Sequence, residues 1–413
     1  YPQDYQEAPG LPLFRPIVPA PTDSPDGLEN FVQRGLFPGS YQVPGSNTSF
    51  RFSGFVRLGA TFDFKPIGTP DQFVTNTIPV PQTSGQNANF SARPTRLSLD
   101  TWTPTPINDW NVHTFLQFDF FSGAAPGVGS SSVPRLRFAF ADFGYFRIGQ
   151  DTTVFMDPQS FPRTADFAGP RGLVNSRQGL ARVTIPLSDE LFWASAVEQP
   201  FSDITTNGMG NNVQDIPDFT SHLRYEADLG HLQASTIVRS IGYRPNGGST
   251  QRDAGWGMNL TGNVFPWALL MGRNPVRELD PTPLERCRFL AQYAFGWGIS
   301  RYIQDPSGLG FDGAVTANGS FQTLYATGWT LSYEHWYTDH WLTNVTYSAD
   351  FVGHTDAQPG NTYAGAKYLA ASVWWVPVVN MSIGVEYLIG DRKNVNGQTA
   401  DADRIQTVFQ YNF

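Results

Sequence analysis

The strongest constraint on this chain is a period of two that runs through unusually long segments. In "SFRFSGFVRLGATFDF" (49–64) the even positions hold Phe, Val, Leu, Ala and Gly, while the odd positions include Arg51, Arg57 and Asp63. A period of two is the pleat of a β-strand, so one face is apolar and the other polar. A usual strand has about five or six residues. An arginine facing lipid at mid-bilayer costs roughly 2–4 kcal/mol, so the polar face must point to water.

The same two-faced pattern recurs along the chain, at 109–121, 218–229, 379–390 and in the final "RIQTVFQYNF". Only 15% of the residues are charged, against about 25% in a typical soluble domain, whereas Phe reaches 32, Tyr 16 and Trp 11. The sequence has no run of about 18 apolar residues, which excludes a helical span. A charge-poor, aromatic-rich chain without such a helix is typical of a transmembrane β-barrel.

The connections between these segments alternate in length. Short links such as "ADFGY" (141–145) and "YTDH" (337–340) alternate with longer segments rich in Gly, Ser, Asn and Pro. Short turns on one rim and long loops on the other are typical of outer-membrane barrels. The count predicts an all-β fold, an antiparallel transmembrane barrel of about sixteen strands over residues 49–413. Sixteen strands enclose an aqueous channel, whereas about eight would be filled by side chains.

Two segments do not fit this alternation of strands, short links and long loops. Residues 1–48 are rich in proline and have neither period, so they are predicted to be a periplasmic or plug segment, serving as a tether, a plug or a partner-binding arm. Residues 266–288 fall where a short turn is expected. They are interpreted as a periplasmic insertion with a short helix, and two weak strands are the alternative.

Composition argues against several other functions. A single cysteine rules out an internal disulfide and gives no support to a thiolate metal site. The net charge of −9 argues against a nucleic-acid partner. "GLGFDG" (308–313) is followed by no strand-to-helix passage and is interpreted as a glycine-rich surface loop. No serine, histidine and carboxylate grouping is convincing, so we expect no enzyme activity, no cofactor and no metal.

Several blocks resemble a known family. "RPTRLSLDTWTPT", "VHTFLQFDFF", "RLRFAFADFGYFRIGQDTTVFMDPQSFPRTADFAGPRG" and "RQGLARVTIPL" look like successive segments of the DcaP-like family of trimeric outer-membrane porins, densely over about 39–200. The resemblance implies a homotrimer in a Gram-negative outer membrane, a third loop folded into the lumen, and passive diffusion of small, preferably anionic solutes. The terminal Phe413 resembles the aromatic end that such barrels present to the barrel assembly machinery. Family members commonly carry a helical arm before the barrel, and proline-rich sequence stands there in this chain.

Strand parity places a ladder of arginines toward the lumen, which would attract anions. Its members are Arg57, Arg96, Arg135, Arg137, Arg147 and Arg182. The third loop, "DTTVFMDPQSFPRTADFAGPRGLVNSR", supplies aspartates expected to face this ladder, together with further arginines. These residues are Asp151, Asp157, Asp166, Arg163, Arg171 and Arg177. In the alternative interpretation, the ladder arginines only pair with the loop aspartates and hold the loop in place.

The sequence therefore predicts an outer-membrane porin for small hydrophilic, preferably anionic solutes. One alternative is an occluded or structural barrel, whose lumen is filled by loops or by the N-terminal segment. The other alternative is a barrel enzyme, but the sequence contains no convincing catalytic grouping for one. The expected partners are two further copies of the chain, outer-membrane lipid or lipopolysaccharide, the assembly machinery and the solutes.

Overall fold

Sixteen antiparallel strands form a closed barrel in the computed structural model, which describes residues 33–108, 110–122, 132–273 and 281–413. The strands are β1 Ser49–Asp63, β2 Asn87–Ser91 continued as Arg96–Pro104, β3 Asn111–Ser122, β4 Val133–Phe143, β5 Phe146–Thr152, β6 Arg177–Pro186, β7 Leu191–Glu198, β8 Asp218–Ala227, β9 Gly230–Pro245, β10 Gln251–Val264, β11 Arg288–Trp297, β12 Tyr325–Trp336, β13 Trp341–Val352, β14 Tyr363–Val378, β15 Met381–Asn394 and β16 Thr399–Asn412. The predicted all-β barrel is confirmed.

The first and last strands pair with each other and close the cylinder. Their register runs from Phe55 opposite Asn412 to Asp63 opposite Arg404. Every other strand pairs with its neighbours in chain order, so no edge strand is left in the wall. Within the described ranges, no helix has the length and apolarity that a membrane crossing requires.

Side chains alternate between the two faces of the wall as the period of two predicts. On the outer face, the relative solvent accessibilities of Phe52, Ile148 and Leu232 are 67%, 66% and 67%. On the inner face, polar residues such as Asp119, Thr220 and Ser235 are fully buried. Apolar side chains thus meet hydrocarbon outside, and polar side chains meet each other within.

The lumen is filled by three of the long loops, counted along the long-loop rim. The first loop (64–86), the third loop (153–176) and the sixth loop (298–324) each place fully buried apolar residues inside the barrel. Phe73 and Ile78 come from the first loop, and Phe311 comes from the sixth. The interpretation of 308–313 as a surface loop is therefore wrong for Phe311 and Asp312, because both are buried.

Asp305 of the sixth loop is the point at which the three loops meet. Its carboxylate accepts hydrogen bonds from Arg171 Nε at 2.8 Å, from Thr75 Oγ1 at 2.7 Å and from the hydroxyl of Tyr363 on β14 at 2.9 Å. The third and sixth loops also exchange backbone bonds, since Gln304 N donates to Leu173 O and Asp305 N donates to Arg171 O. The loops are therefore one polar assembly fixed to the wall.

Glycines let the loops lie directly against the wall. A Cβ on Gly172 of the third loop would come within 2.3 Å of Ala349 O on β13. A Cβ on Gly390 of β15 would lie 2.5 Å from Thr75 Cγ2 of the first loop. Both positions require glycine, because the loop and the wall approach each other so closely that a side chain would not fit.

The segment between β10 and β11 lies on the short-turn rim. It holds the helix α1 Pro266–Met271 and a 3₁₀ turn Pro283–Arg286, while 274–280 fall outside the described residues. This is the stretch for which the sequence predicts an insertion with a short helix. Of the proline-rich 1–48, only 33–48 are described; there Tyr41–Gln42 pairs with the start of β1.

Candidate functional site in the barrel lumen

Five arginines surround two stacked phenylalanines on the β1–β4 side of the lumen. The rings of Phe121 on β3 and Phe167 on the third loop stack at 5.0 Å with an interplanar angle of 12°. We call the surrounding set the arginine cluster; its guanidinium carbons lie 4.7–5.9 Å from one of the two rings, and its members are Arg57, Arg93, Arg96, Arg135 and Arg137. Cation–π contacts of this kind stabilise guanidinium groups beside an aromatic face.

Three members of the arginine cluster form ion pairs with two aspartates. Asp119 binds Arg135 at 2.6 Å and Arg137 at 2.8 Å, and Asp71 of the first loop binds Arg93 at 2.5 Å. Groups of arginine side chains are one means by which pores favour anions.

A second set of charges lies closer to the short-turn rim and is balanced. Ion pairs run around the wall from β1 to β6 through Arg51, Asp100, His113, Asp142, Arg147, Asp151 and Arg182, with distances of 2.5–3.2 Å. Of the sequence-predicted ladder, Arg147 and Arg182 belong to this ion-pair chain, while Arg57, Arg96, Arg135 and Arg137 belong to the arginine cluster. In this ion-pair chain the three aspartates alternate with the three arginines and His113.

The tip of the third loop crosses the lumen and is held by the opposite wall. Glu386 on β15 accepts hydrogen bonds from the backbone nitrogens of Ala165 and Asp166, at 2.9 and 2.8 Å. Arg57 donates to the carbonyl oxygen of Ala165 at 2.5 Å. Between this tip and the β1, β2 and β16 wall, a cavity of about 20 Å³ remains, which is room for about one water molecule.

The remaining charges of the third loop bind to other parts of the wall. Asp157 was expected to face the arginine ladder; it instead binds Arg224 on β8 and His231 on β9, at 3.0 and 2.7 Å. Asp166 likewise turns away, accepting from the backbone nitrogen of Phe73 at 3.2 Å. Only Asp151 contacts the ladder, through Arg147 and Arg182. The expectation fails for Asp157 and Asp166 because the third loop leads both residues away from the ladder.

The loop arginines also have separate partners. Arg171 pairs with Asp305 at 2.8 Å, and Arg163 lies 3.6 Å from Glu334 on β12. Arg177 begins β6, with its guanidinium carbon 5.9 Å from the ring of Phe138. Arg171 thus binds the third loop to the sixth loop, and Arg163 binds it to the wall. None of the three arginines belongs to the arginine cluster.

An anchoring contact at the extracellular end involves the fourth loop (199–217). Asp203 accepts hydrogen bonds from the backbone nitrogens of Gly308 and Gly310 at 2.8 and 3.0 Å. Burial, followed by the nearby Asp312 carboxylate, raises the pKa of Asp203. The fourth loop thereby covers the outer side of the sixth loop.

Sequence reasoning missed four residues that shape the passage: Arg93, Asp71, Phe121 and Phe167. Arg93 lies between the two parts of β2, where the period of two does not predict which way a side chain points. Asp71 and Phe167 lie in loops without a period. Phe121 shares the inward parity of Asp119, and that shared parity is the signal that could have revealed it.

Comparison with known proteins supports this architecture. A family model described as DcaP outer membrane protein matches residues 39–186. The outer membrane channel DcaP of Acinetobacter baumannii has a similar fold, with a TM-score of 0.73 at 18% identity over 91% of this chain and 100% of that one. The chain is an outer-membrane β-barrel that resembles the DcaP channel. The predicted resemblance and location are thereby confirmed.

More distant structures share the fold of this DcaP-like barrel. An anion-selective porin from Comamonas acidovorans gives a TM-score of 0.57 at 9% identity, covering 89% of this chain and 100% of that one. A trimer form of OmpT, an outer membrane protein of Vibrio cholerae, gives 0.52 at 8% identity, covering 89% and 99%. At such identities the likeness extends to the fold alone. No curated protein matches the sequence.

Proposed function

We propose that this DcaP-like barrel is a porin that passes small hydrophilic solutes, preferably anions, through a passage narrowed by three inward loops. The observation that carries the proposal is the arginine cluster, in which five guanidinium groups lie together beside the tip of the third loop. The anion-selective porin with the same fold supports this preference. We also propose a homotrimer, as one structural relative has a trimer form.

Arg96 and Arg137 offer the sharpest test, because both are buried in the lumen wall and both lie beside Phe167. Arg96→Gln combined with Arg137→Gln removes two positive charges, whereas the paired lysine variant keeps them. In planar bilayers with a KCl gradient, the glutamine variant should shift the reversal potential toward cation preference. The lysine variant should retain the wild-type sign. An equal reversal potential in all three proteins would mean that these arginines are structural.

An occluded barrel is the second candidate, and the buried residues that three long loops place inside the lumen favour it. A barrel of this kind would give no conductance steps in the same bilayers. Variants that loosen the loops would then open a channel that the native chain does not provide.

A serine, a histidine and an aspartate lie together in the lumen, but their arrangement does not support an enzyme. Ser160 Oγ and His231 Nε2 both bind Asp157 Oδ2, at 2.5 and 2.7 Å, and Asp157 also binds Arg224. In a hydrolase the histidine lies between the nucleophile and the carboxylate, using both ring nitrogens. The carboxylate is the centre of this grouping, so it holds the third loop against β8 and β9.

A further inference from the structure

The three lysines of the chain lie together although they are far apart in sequence. Among its 27 basic residues, only Lys65, Lys367 and Lys393 are lysine, and the others are arginine. Lys65 follows β1, while Lys367 and Lys393 lie at the long-loop ends of β14 and β15. In the closed barrel these strands are neighbours, with only β16 between β15 and β1.

These lysines and three aspartates form a row on the outer wall, which we call the lysine patch. Lys367 lies opposite Asp391, and Asp391 lies opposite Asp401 on β16. Lys367 Nζ is 3.7 Å from Asp391 Oδ2, and Lys65 forms an ion pair with Asp401. Asp403 is the third aspartate. Lys393 is exposed and makes no ion pair with any residue that the structure describes.

The lysine patch lies just above an aromatic row. Phe62 and Phe64 contact each other with ring centroids 5.0 Å apart, and Phe64 lies 6.4 Å from Tyr387. The hydroxyl of Tyr387 donates to Asp403 at 2.6 Å, which joins the row to the patch. Aromatic girdles mark the membrane–water interface of barrels, so the lysines lie at headgroup level of the outer leaflet.

We propose that the lysine patch binds the phosphorylated sugar headgroup of lipopolysaccharide. Lysine ammonium groups are compact charges suited to phosphate oxygens. The aspartates between them can accept hydrogen bonds from sugar hydroxyls. A patch that holds ammonium groups with carboxylates beside them therefore fits a phosphorylated glycolipid better than a plain phospholipid. Its position above the aromatic row, on the face that meets lipid, argues against a free solute or a soluble protein.

The test uses the full chain in detergent and fluorescently labelled lipopolysaccharide. The triple variant Lys65→Gln, Lys367→Gln, Lys393→Gln should bind roughly a hundredfold more weakly, since each of the three basic residues near a membrane surface contributes roughly a kcal/mol of attraction. The matched control is Arg244→Gln with Arg252→Gln, two exposed arginines on β9 and β10 at the same rim. The control should bind as the wild type does.

Three results would overturn the proposal: equal binding by the triple variant, equal weakening in the control, or equal competition by phosphatidylglycerol or dephosphorylated lipopolysaccharide. Folding is checked by heat-dependent gel migration. If the triple variant does not fold, Lys393→Gln alone decides, because Lys393 has no ion pair among the described residues to lose. Weaker binding by that single variant supports the site, and unchanged binding contradicts it.

Discussion

At the scale of single residues, Asp305 has the greatest influence on the lumen. Asp305→Asn keeps the shape but leaves the buried Arg171 guanidinium without its counter-charge, a loss worth about 3–5 kcal/mol for a buried pair. The barrel wall does not depend on this carboxylate, so the cost should appear as local opening of the loops. Limited proteolysis of the folded barrel should then cut within 64–86, 153–176 or 298–324.

The control for this prediction is Asp215→Asn, because Asp215 forms an exposed ion pair with Arg252. Exposed pairs contribute little to stability, so this variant should stay as resistant as the wild type. If Asp305→Asn is equally resistant, the loops are held by apolar packing and the carboxylate is not their main anchor.

Parity predicted which arginines face the lumen, because a period of two is a property of the strand itself. It could not predict their partners. Arg135 and Arg137 meet Asp119 across one strand pair, and that pairing depends on a register shift between β3 and β4. Asp157 and Asp166 were misplaced because their direction depends on how a loop without periodicity crosses the lumen.

At the scale of elements, β16 is followed by Phe413, whose ring and backbone can be tested separately for the proposed role in assembly. Phe413 exchanges backbone hydrogen bonds with Gly54, both at 3.0 Å, while its ring is half exposed. Deleting Phe413 removes the ring and the two bonds, whereas Phe413→Ala removes only the ring. If the ring is the assembly signal, both changes should lower the amount of folded barrel in the outer membrane, and Phe413→Tyr should restore it.

The measurement is the folded fraction in isolated outer membranes, judged by heat-dependent gel migration. A normal yield from Phe413→Ala, with a low yield from the deletion, would assign the role to barrel closure. A normal yield from both would leave no role for the terminal residue in assembly.

The long strands were the most predictable elements, since sixteen alternating segments leave little freedom in pairing. The inward first and sixth loops were not foreseen. Their buried residues, including Phe73, Ile78 and Phe311, occur singly among Gly, Pro and Ser, where no period marks a buried face. Large apolar residues in long loops of a barrel are the signal that would have indicated inward folding.

At the scale of the whole molecule, the wall of the barrel and the loops inside it have opposite effects on the width of the channel. Closure by β1 and β16 gives a wall wide enough for an aqueous channel. The three loops then reduce that width, and the arginine cluster lies beside Phe167 at the third-loop tip. In the proposed porin, selectivity and low flux would therefore both depend on this tip.

Single-channel conductance of the native chain in planar bilayers tests this most directly. We expect discrete steps much smaller than an unobstructed sixteen-stranded barrel would give, with a reversal potential that shows anion preference. Large, non-selective steps would contradict it, because the loops could not then occupy the lumen as described.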